Sequence, residues 1–292
     1  MKLRFLGTGT STGIPQIMCN CHVCRSRDEH DKRLRASALV TYKDKNVLID
    51  CGPDFRQQML DSGSPALEAL LITHSHYDHV GGVDDLRPYC ALGDGFPIYC
   101  RSDVAGDLRD RVPYCFAEHP YPGVPAFNIN EISTKPFEVI DLEVVPLPVM
   151  HHRLPIVGFK MGNLAYITDA KTIPDSTLEL IRGIDTLVIN ALRIKDHISH
   201  MNLAQALDII REVKPRVAYI THISHDMGTH SEATMRLPEG VKLAYDGLVI
   251  HIPDQFDQED EEESEPVMFN AIDKHNNLIT YAAFMDIFQQ IN

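Results

Sequence analysis

Within six residues the chain gathers four metal-binding side chains, in His74-Ser75-His76-Tyr77-Asp78-His79. The apolar run Ala69 to Thr73 precedes them and Gly81-Gly82 follows, which puts all four on a tight turn at a strand end. Histidine is scarce, and imidazole with carboxylate is the usual ligand set for catalytic zinc-like ions. A polar loop that holds histidines by chance is the weaker reading. Alternation along the segment sends His74 and His76 toward one ion and Asp78 with His79 toward a second. A site built on the ends of a sheet would draw its other ligands from the ends of neighbouring strands.

The rest of the sequence supplies such strands. Leu3 to Gly7, Ser37 to Tyr42, Val47 to Asp50 and Ala69 to Thr73 read as strands, the second and third joined by the polar turn Lys43-Asp44-Lys45. Phe55 to Leu60 reads as a helix with Asp54 in capping position. Leu142 to Val149, Ile156 to Met161 and Leu164 to Thr168 are strand-like. Helices near Asp175 to Arg182 and over Leu203 to Val213 then alternate with strands Thr186 to Asn190 and Val217 to Thr221, and Val241 to Ile252 closes the series. Strands followed by helix-strand alternation imply an α/β architecture, two mixed sheets sandwiched between helices. Val112 to Val124, rich in proline and aromatic residues, is expected to be an ordered surface loop and a candidate wall of a substrate site. Residues 1–254 form the expected main domain, 255–266 an acidic linker, and 267–292 an appendage with a helix over Leu278 to Ile291.

Composition narrows the function. The formal charge of −14 argues against nucleic acid as the partner, because that binding draws on clustered Lys and Arg. Much of the acidic excess lies between Asp257 and Glu265, however, so a local basic pocket in the main domain remains compatible with the total. No stretch approaches the roughly 18 apolar residues of a membrane span, and no charged-then-apolar leader opens the chain, so a cytoplasmic location is expected.

Three of the seven cysteines crowd into Cys19-Asn20-Cys21-His22-Val23-Cys24. In a reducing compartment this spacing suits a metal better than disulfides, and free reduced thiols are the plainer alternative. Three thiolates leave a fourth tetrahedral position open. His225 is the candidate to close it, since His22 lies between residues already committed to the ion.

Other motifs say less on their own. Gly7-Thr8-Gly9-Thr10-Ser11-Thr12-Gly13 lacks the spacing and the following helix of a dinucleotide loop, although its hydroxyls and amides could border a metal site. Asp84, Asp85 and Arg87 read as a helix start with solvated charges, Arg87 being able to reach an anionic substrate. His200, just before the helix at Leu203, reads by position as a capping or surface residue.

The HxHxDH arrangement of residues 74–79 resembles that of the metallo-β-lactamase superfamily, with a likeness extending from residue 1 to about 252. The resemblance implies three later ligands: His151 after Pro146-Leu147-Pro148-Val149-Met150, Asp169 after Tyr166-Ile167-Thr168, and His222 after Tyr219-Ile220-Thr221. His152 is the alternative to His151. Asp169 would bridge the metals. The cysteine pattern, Thr221-His222-Ile223-Ser224-His225 and Tyr245-Asp246-Gly247 further resemble the phosphoribosyl cyclic phosphodiesterase family of phosphonate breakdown. That likeness implies a structural zinc on Cys19, Cys21, Cys24 and His225, and brings His200 into the active site to bind phosphate or protonate a leaving oxygen.

The function expected is therefore dinuclear hydrolysis of a small phosphodiester, cyclic ribosyl phosphates included, with Asp78, Asp169 and His200 as catalytic residues and a bridging hydroxide as nucleophile. Two catalytic divalent ions, zinc or manganese, and one structural zinc are the expected cofactors. A homodimer is compatible with the resemblance, and no membrane partner is expected. Two other readings stand beside it: a tRNA 3′-processing-type endonuclease of the same fold, and a non-hydrolytic metal-binding or cofactor-biosynthesis relative.

Overall fold

The computed structural model describes residues 1–92, 95–119, 121–253, 271–272 and 278–279. In chain order the elements are β1 (Lys2–Gly7), β2 (Ser37–Tyr42), β3 (Lys45–Ile49), α1 (Phe55–Asp61), β4 (Ala69–Leu71), α2 (Tyr77–Val80), β5 (Phe96–Arg101), α3 (Ser102–Arg111), β6 (Phe127–Ile132), β7 (Phe137–Val139), β8 (Leu142–His151), β9 (Leu154–Met161) and β10 (Leu164–Tyr166). They continue with α4 (Asp175–Ile181), β11 (Thr186–Asn190), α5 (Leu203–Val213), β12 (Val217–Thr221), α6 (His230–Thr234), β13 (Val241–Leu243), β14 (Val249–His251), β15 (Ala271–Ile272) and β16 (Leu278–Ile279).

Two seven-stranded mixed sheets carry the architecture, in the orders β14-β1-β2-β3-β4-β5-β6 and β13-β12-β11-β10-β9-β8-β7. The period-two alternation of each strand decides what lies where. In the first sheet Val40, Val47, Ile49 and Leu71 point inward to meet Val144, Phe159, Tyr166 and Val188 of the second. Their neighbours Leu39, Leu48, Leu70 and Ile98 point outward, under Phe55 and Met59 of α1 and Val104 and Leu108 of α3. On the far side Leu187, Ile189 and Ile220 pack beneath Leu178 and Ile181 of α4 and Leu207 and Ile210 of α5. Four layers result, helices on both faces of a double sheet, as the sequence implies.

Local differences have local causes. Asp54 stands at the N-cap position of α1, as expected, but its side chain makes no capping bond; its carboxylate instead takes the Arg35 N–H and guanidinium, both at 2.8 Å. The closing run Val241 to Ile252 is two strands in different sheets, divided by the turn at Asp246-Gly247, where Gly247 has φ +86°. The polar turn of the β2–β3 hairpin holds positive φ at both Lys43 and Asp44, the backbone twist a tight hairpin requires. Residues 113–116 of the proline-rich loop form a 3-10 turn. The acidic linker lies outside the described residues. In the expected C-terminal helix, Leu278–Ile279 is a strand paired with Ala271–Ile272, and the remainder lies outside them as well. Among the described residues no helix is long and apolar enough to cross a membrane.

Candidate metal centre and active site

The ends of β3, β4, β8, β10 and β12 deliver Asp50, the 74–79 turn, His151, Asp169 and His222 to one place. Three of these, Asp50, Asp169 and His222, hold φ between +55° and +60°. Non-glycine residues adopt that left-handed backbone at a cost, and such positions cluster where a structure must aim a side chain. The turn itself needs close approach: a Cβ on Gly52 would lie 2.1 Å from the Asp78 carbonyl, and one on Gly82 equally close to the Gly52 carbonyl. Only glycines let the 78–82 segment lie against residues 51–52.

Two groups of ligand atoms emerge. His74, His76 and His151 form one; Asp78, His79, Asp169 and His222 form the other, and a third grouping of His151, Asp169 and His200 overlaps both. The second group is fully buried, whereas His76 is exposed and marks the open side. His152, with φ +55°, is exposed on the β8–β9 turn and takes no part in these groups.

Hydrogen bonds fix which ring nitrogen faces inward. His151 Nδ1 donates to the Ser199 carbonyl at 2.8 Å, which leaves Nε2 as the lone-pair atom. His79 Nδ1 donates to Asp50 Oδ2 at 2.7 Å. The Thr73 hydroxyl donates to Asp50 and is 3.0 Å from His74 Nδ1, which therefore donates to it. Asp50 thus orients two imidazoles, one directly and one through Thr73. Sequence reading passed over this residue, seeing it only as the end of the strand-like run Val47 to Asp50; the pairing of β3 with β4 is what sets it beside the histidine-bearing turn.

The inward atoms fit metal ions. His74 Nε2 and His79 Nε2 are buried without a hydrogen-bond partner. Asp78 and Asp169 oxygens lie 3.2 and 3.3 Å from His79 Nε2, and Asp169 Oδ1 is 3.1 Å from His222 Nε2. Two atoms each bonded to one tetrahedral ion at about 2.0–2.1 Å stand about 3.3 Å apart. Electrostatics agree: burial opposes a charge on His79, yet Asp169, Asp50 and Asp78 outweigh it and hold its pKa well above the ordinary value. Burial likewise works against the Asp169 carboxylate, but His222 and His79 hold its pKa well below the usual range.

His200 is buried, its ring 4.6 Å from that of His151 and 4.9 Å from that of His222, with Nδ1 3.7 Å from Asp169. It is not a helix cap; Asn202 caps α5 through a reciprocal capping box with Gln205. Burial, against the pull of Asp169, pushes its pKa down to about 3. His197, a residue the sequence reading did not single out, lies 5.1 Å from the His200 ring. Thr10 of the glycine-rich loop reaches His222 Nε2 with its hydroxyl at 3.2 Å. Arg87 is engaged elsewhere, with Asp84 and the Gly123 carbonyl, so it is not a free anion-binding group; those bonds and Tyr114 to Asp84 tie the proline-rich loop to this segment.

Behind this centre, Cys19, Cys21 and Cys24 converge on His225, their sulfurs 3.2, 3.5 and 3.4 Å from its Nδ1. Sulfur and nitrogen ligands of one tetrahedral zinc stand about 3.5 Å apart. His22 turns outward to Glu232 instead.

Comparison with known proteins follows the same lines. The family model described as beta-lactamase superfamily domain matches residues 45–223. A Porphyromonas gingivalis protein named octanoyltransferase is 45% identical over 251 residues, which cover 85% of this chain and 51% of that protein. The chain spans about half the length of that relative. A solved diphosphatase from the PhnP family is 38% identical, with TM-score 0.81, over 86% of this chain and 98% of its own. Zinc-bound PqqB from Methylobacterium extorquens, 19% identical with TM-score 0.73 over 86% and 100% of the two chains, shares the fold.

Proposed function

The chain belongs to the metallo-β-lactamase superfamily, as a metal-dependent hydrolase resembling the PhnP family, and from that premise we propose that it hydrolyses small phosphodiesters, cyclic ribosyl phosphates among them. The observation that carries this reading is His200, a buried imidazole set beside both ligand groups yet outside the pair of groups that would hold the ions.

His74, His76 and His151 would hold one ion and Asp78, His79 and His222 the other, with Asp169 between them. Divalent cations there would polarise a phosphoryl oxygen and activate water for in-line attack. The protein does the rest. Asp50 and Thr73 keep the ligand nitrogens aimed, so no reorganisation is needed as charge builds on the phosphoryl and leaving oxygens. The exposed edge at His76 admits the substrate. His200 is placed to hydrogen-bond a phosphoryl oxygen and, in its protonated form, to give its proton to the departing alkoxide. The Cys19, Cys21, Cys24 and His225 group would hold a structural zinc, tying the first loop to the segment carrying His222.

One observation favours a second reading. A relative of 45% identity carries an acyl-transfer name on a chain about twice as long, so an acyl ester or thioester is the competing substrate. The carbonyl of such a substrate suits the same centre. Purified protein reloaded with zinc or manganese should turn over cyclic phosphates and bis(p-nitrophenyl) phosphate faster than octanoyl esters or pre-tRNA. The reverse order would replace the phosphodiester reading.

A further inference from the structure

Arg33 is buried at 3% exposure and lies outside the ligand groups described above, and its guanidinium links the segments that follow β1 of the first sheet and β13 of the second. Nη1 donates to Thr8 Oγ1 at 2.7 Å, just beyond β1 of the first sheet, and to the Ala244 carbonyl at 2.6 Å, just beyond β13 of the second. Nη2 is 3.2 Å from His230 Nδ1, which accepts from it. The Thr8 hydroxyl passes the connection on, donating to Asp246 Oδ1 at 2.6 Å, while Asp246 Oδ2 takes the Leu34 N–H at 2.6 Å.

What these bonds enclose is the end of β12. Ala244 N donates to the Ile220 carbonyl at 2.9 Å from one side. From the other, Ile223 N donates to the Thr8 carbonyl at 2.9 Å and Thr10 N to the Ile223 carbonyl at 3.0 Å, making Gly9 and Ile223 bridge partners. His222 lies between these fixed points, in the left-handed conformation at φ +55° that aims its Nε2 at Asp169 and Thr10. A strained backbone persists only where its surroundings over-determine it. Here the surroundings are the two segments that one guanidinium holds together.

We propose that Arg33, acting through Thr8 and Ala244, is a positioning residue for His222, setting the last ligand of the buried group by locking together the segments on either side of it. A guanidinium is suited to this because its rigid fork reaches several acceptors at once, whereas an ammonium on a flexible stem is a point donor. Keeping such a charge buried costs desolvation, and an apolar side chain of similar volume would serve plain packing as well.

The inference rests on His222 being a metal ligand, and the test reads metal without substrate. Arg33→Lys and Thr8→Val are prepared beside the parent protein, with Val40→Ala as a control that loosens the inter-sheet core away from this lattice. Affinity of the His/Asp centre is measured by chelator competition with Co(II), its geometry by the visible cobalt bands, the cysteine site being followed separately through thiolate absorption. Residues that orient ligands typically contribute about 10–100-fold in metal affinity or activity, so both variants should lose about tenfold or more in affinity with shifted bands. Turnover should show the same loss in kcat with KM little changed. Parental affinity and bands in folded Arg33→Lys and Thr8→Val would overturn the proposal, as would an equal loss in Val40→Ala. If Arg33→Lys fails to fold, Thr8→Val decides alone. A parent protein that cleaves no phosphodiester would refute the proposed function and leave this result intact.

Discussion

Asp50 Oδ2 accepts the Nδ1–H of His79 across 2.7 Å, with both side chains sealed from solvent. The same carboxylate accepts from the Thr73 amide at 2.8 Å and from its hydroxyl. Asp50→Asn keeps the shape and tolerates φ +60°, but it removes the negative charge and turns one acceptor into a donor. His79 would lose its fixed tautomer and His74 its relay. About 10–100-fold weaker metal binding or turnover is expected, in a protein that still folds. Metal content after dialysis and kcat on bis(p-nitrophenyl) phosphate check it; parental values for both would remove Asp50 from the centre's support.

His200 can be separated from the ligands by what its loss does to metal. His200→Gln should leave both ions bound and lower kcat by about 10²-fold or more, the usual contribution of a positioned proton donor. The loss should be smaller for diesters with nitrophenolate leaving groups, which need no proton. Loss of an ion together with activity would instead make His200 a ligand, as its grouping with His151 and Asp169 allows.

What could be read from the sequence was whatever a short segment states by itself. The 74–79 turn declares its candidate ligands because spacing and residue type suffice, and Leu203–Val213 declares a helix because its apolar face repeats with helical period. Asp50 and Arg33 say nothing locally: one matters through a neighbouring strand, the other through segments over 200 residues away in the chain, at Ala244 and Asp246. The split of residues 241–252 between two sheets was hidden for the same reason. Apolar alternation shows that both pieces are strands, not which sheet each joins. Arg87 shows the converse limit, since its charge was legible but not its engagement with Asp84.

Asp246 predicts a pH dependence of stability. Burial, only partly offset by bonds from Thr8 and the Leu34 amide, raises its pKa from 3.8 to about 6. Between these values the folded state binds a proton that the unfolded state has released, so stability falls as pH rises through this window. The shift corresponds to a change on the order of 2–3 kcal/mol, largely complete above pH 6. Asp246→Asn, neutral throughout, should flatten that part of the curve. Thermal or urea unfolding of parent and variant between pH 4 and 7 tests it, and parallel curves would show that Asp246 does not titrate there.

The cysteine group makes a prediction about division of labour. Its sulfurs meet His225, three residues beyond His222, so an ion there would clamp the first loop onto the segment that carries the proposed ligand His222 without itself touching substrate. Cys24→Ser replaces one thiolate with a poor zinc ligand. The variant should lose one zinc equivalent and part of its thermal stability, while the remaining ions stay bound and kcat falls less than in the His200 variant. Metal analysis beside kcat and Tm distinguishes the possibilities. If zinc is lost from the cysteines and kcat collapses while Tm and the remaining metal are unchanged, that ion takes part in the chemistry, and its assignment as structural fails.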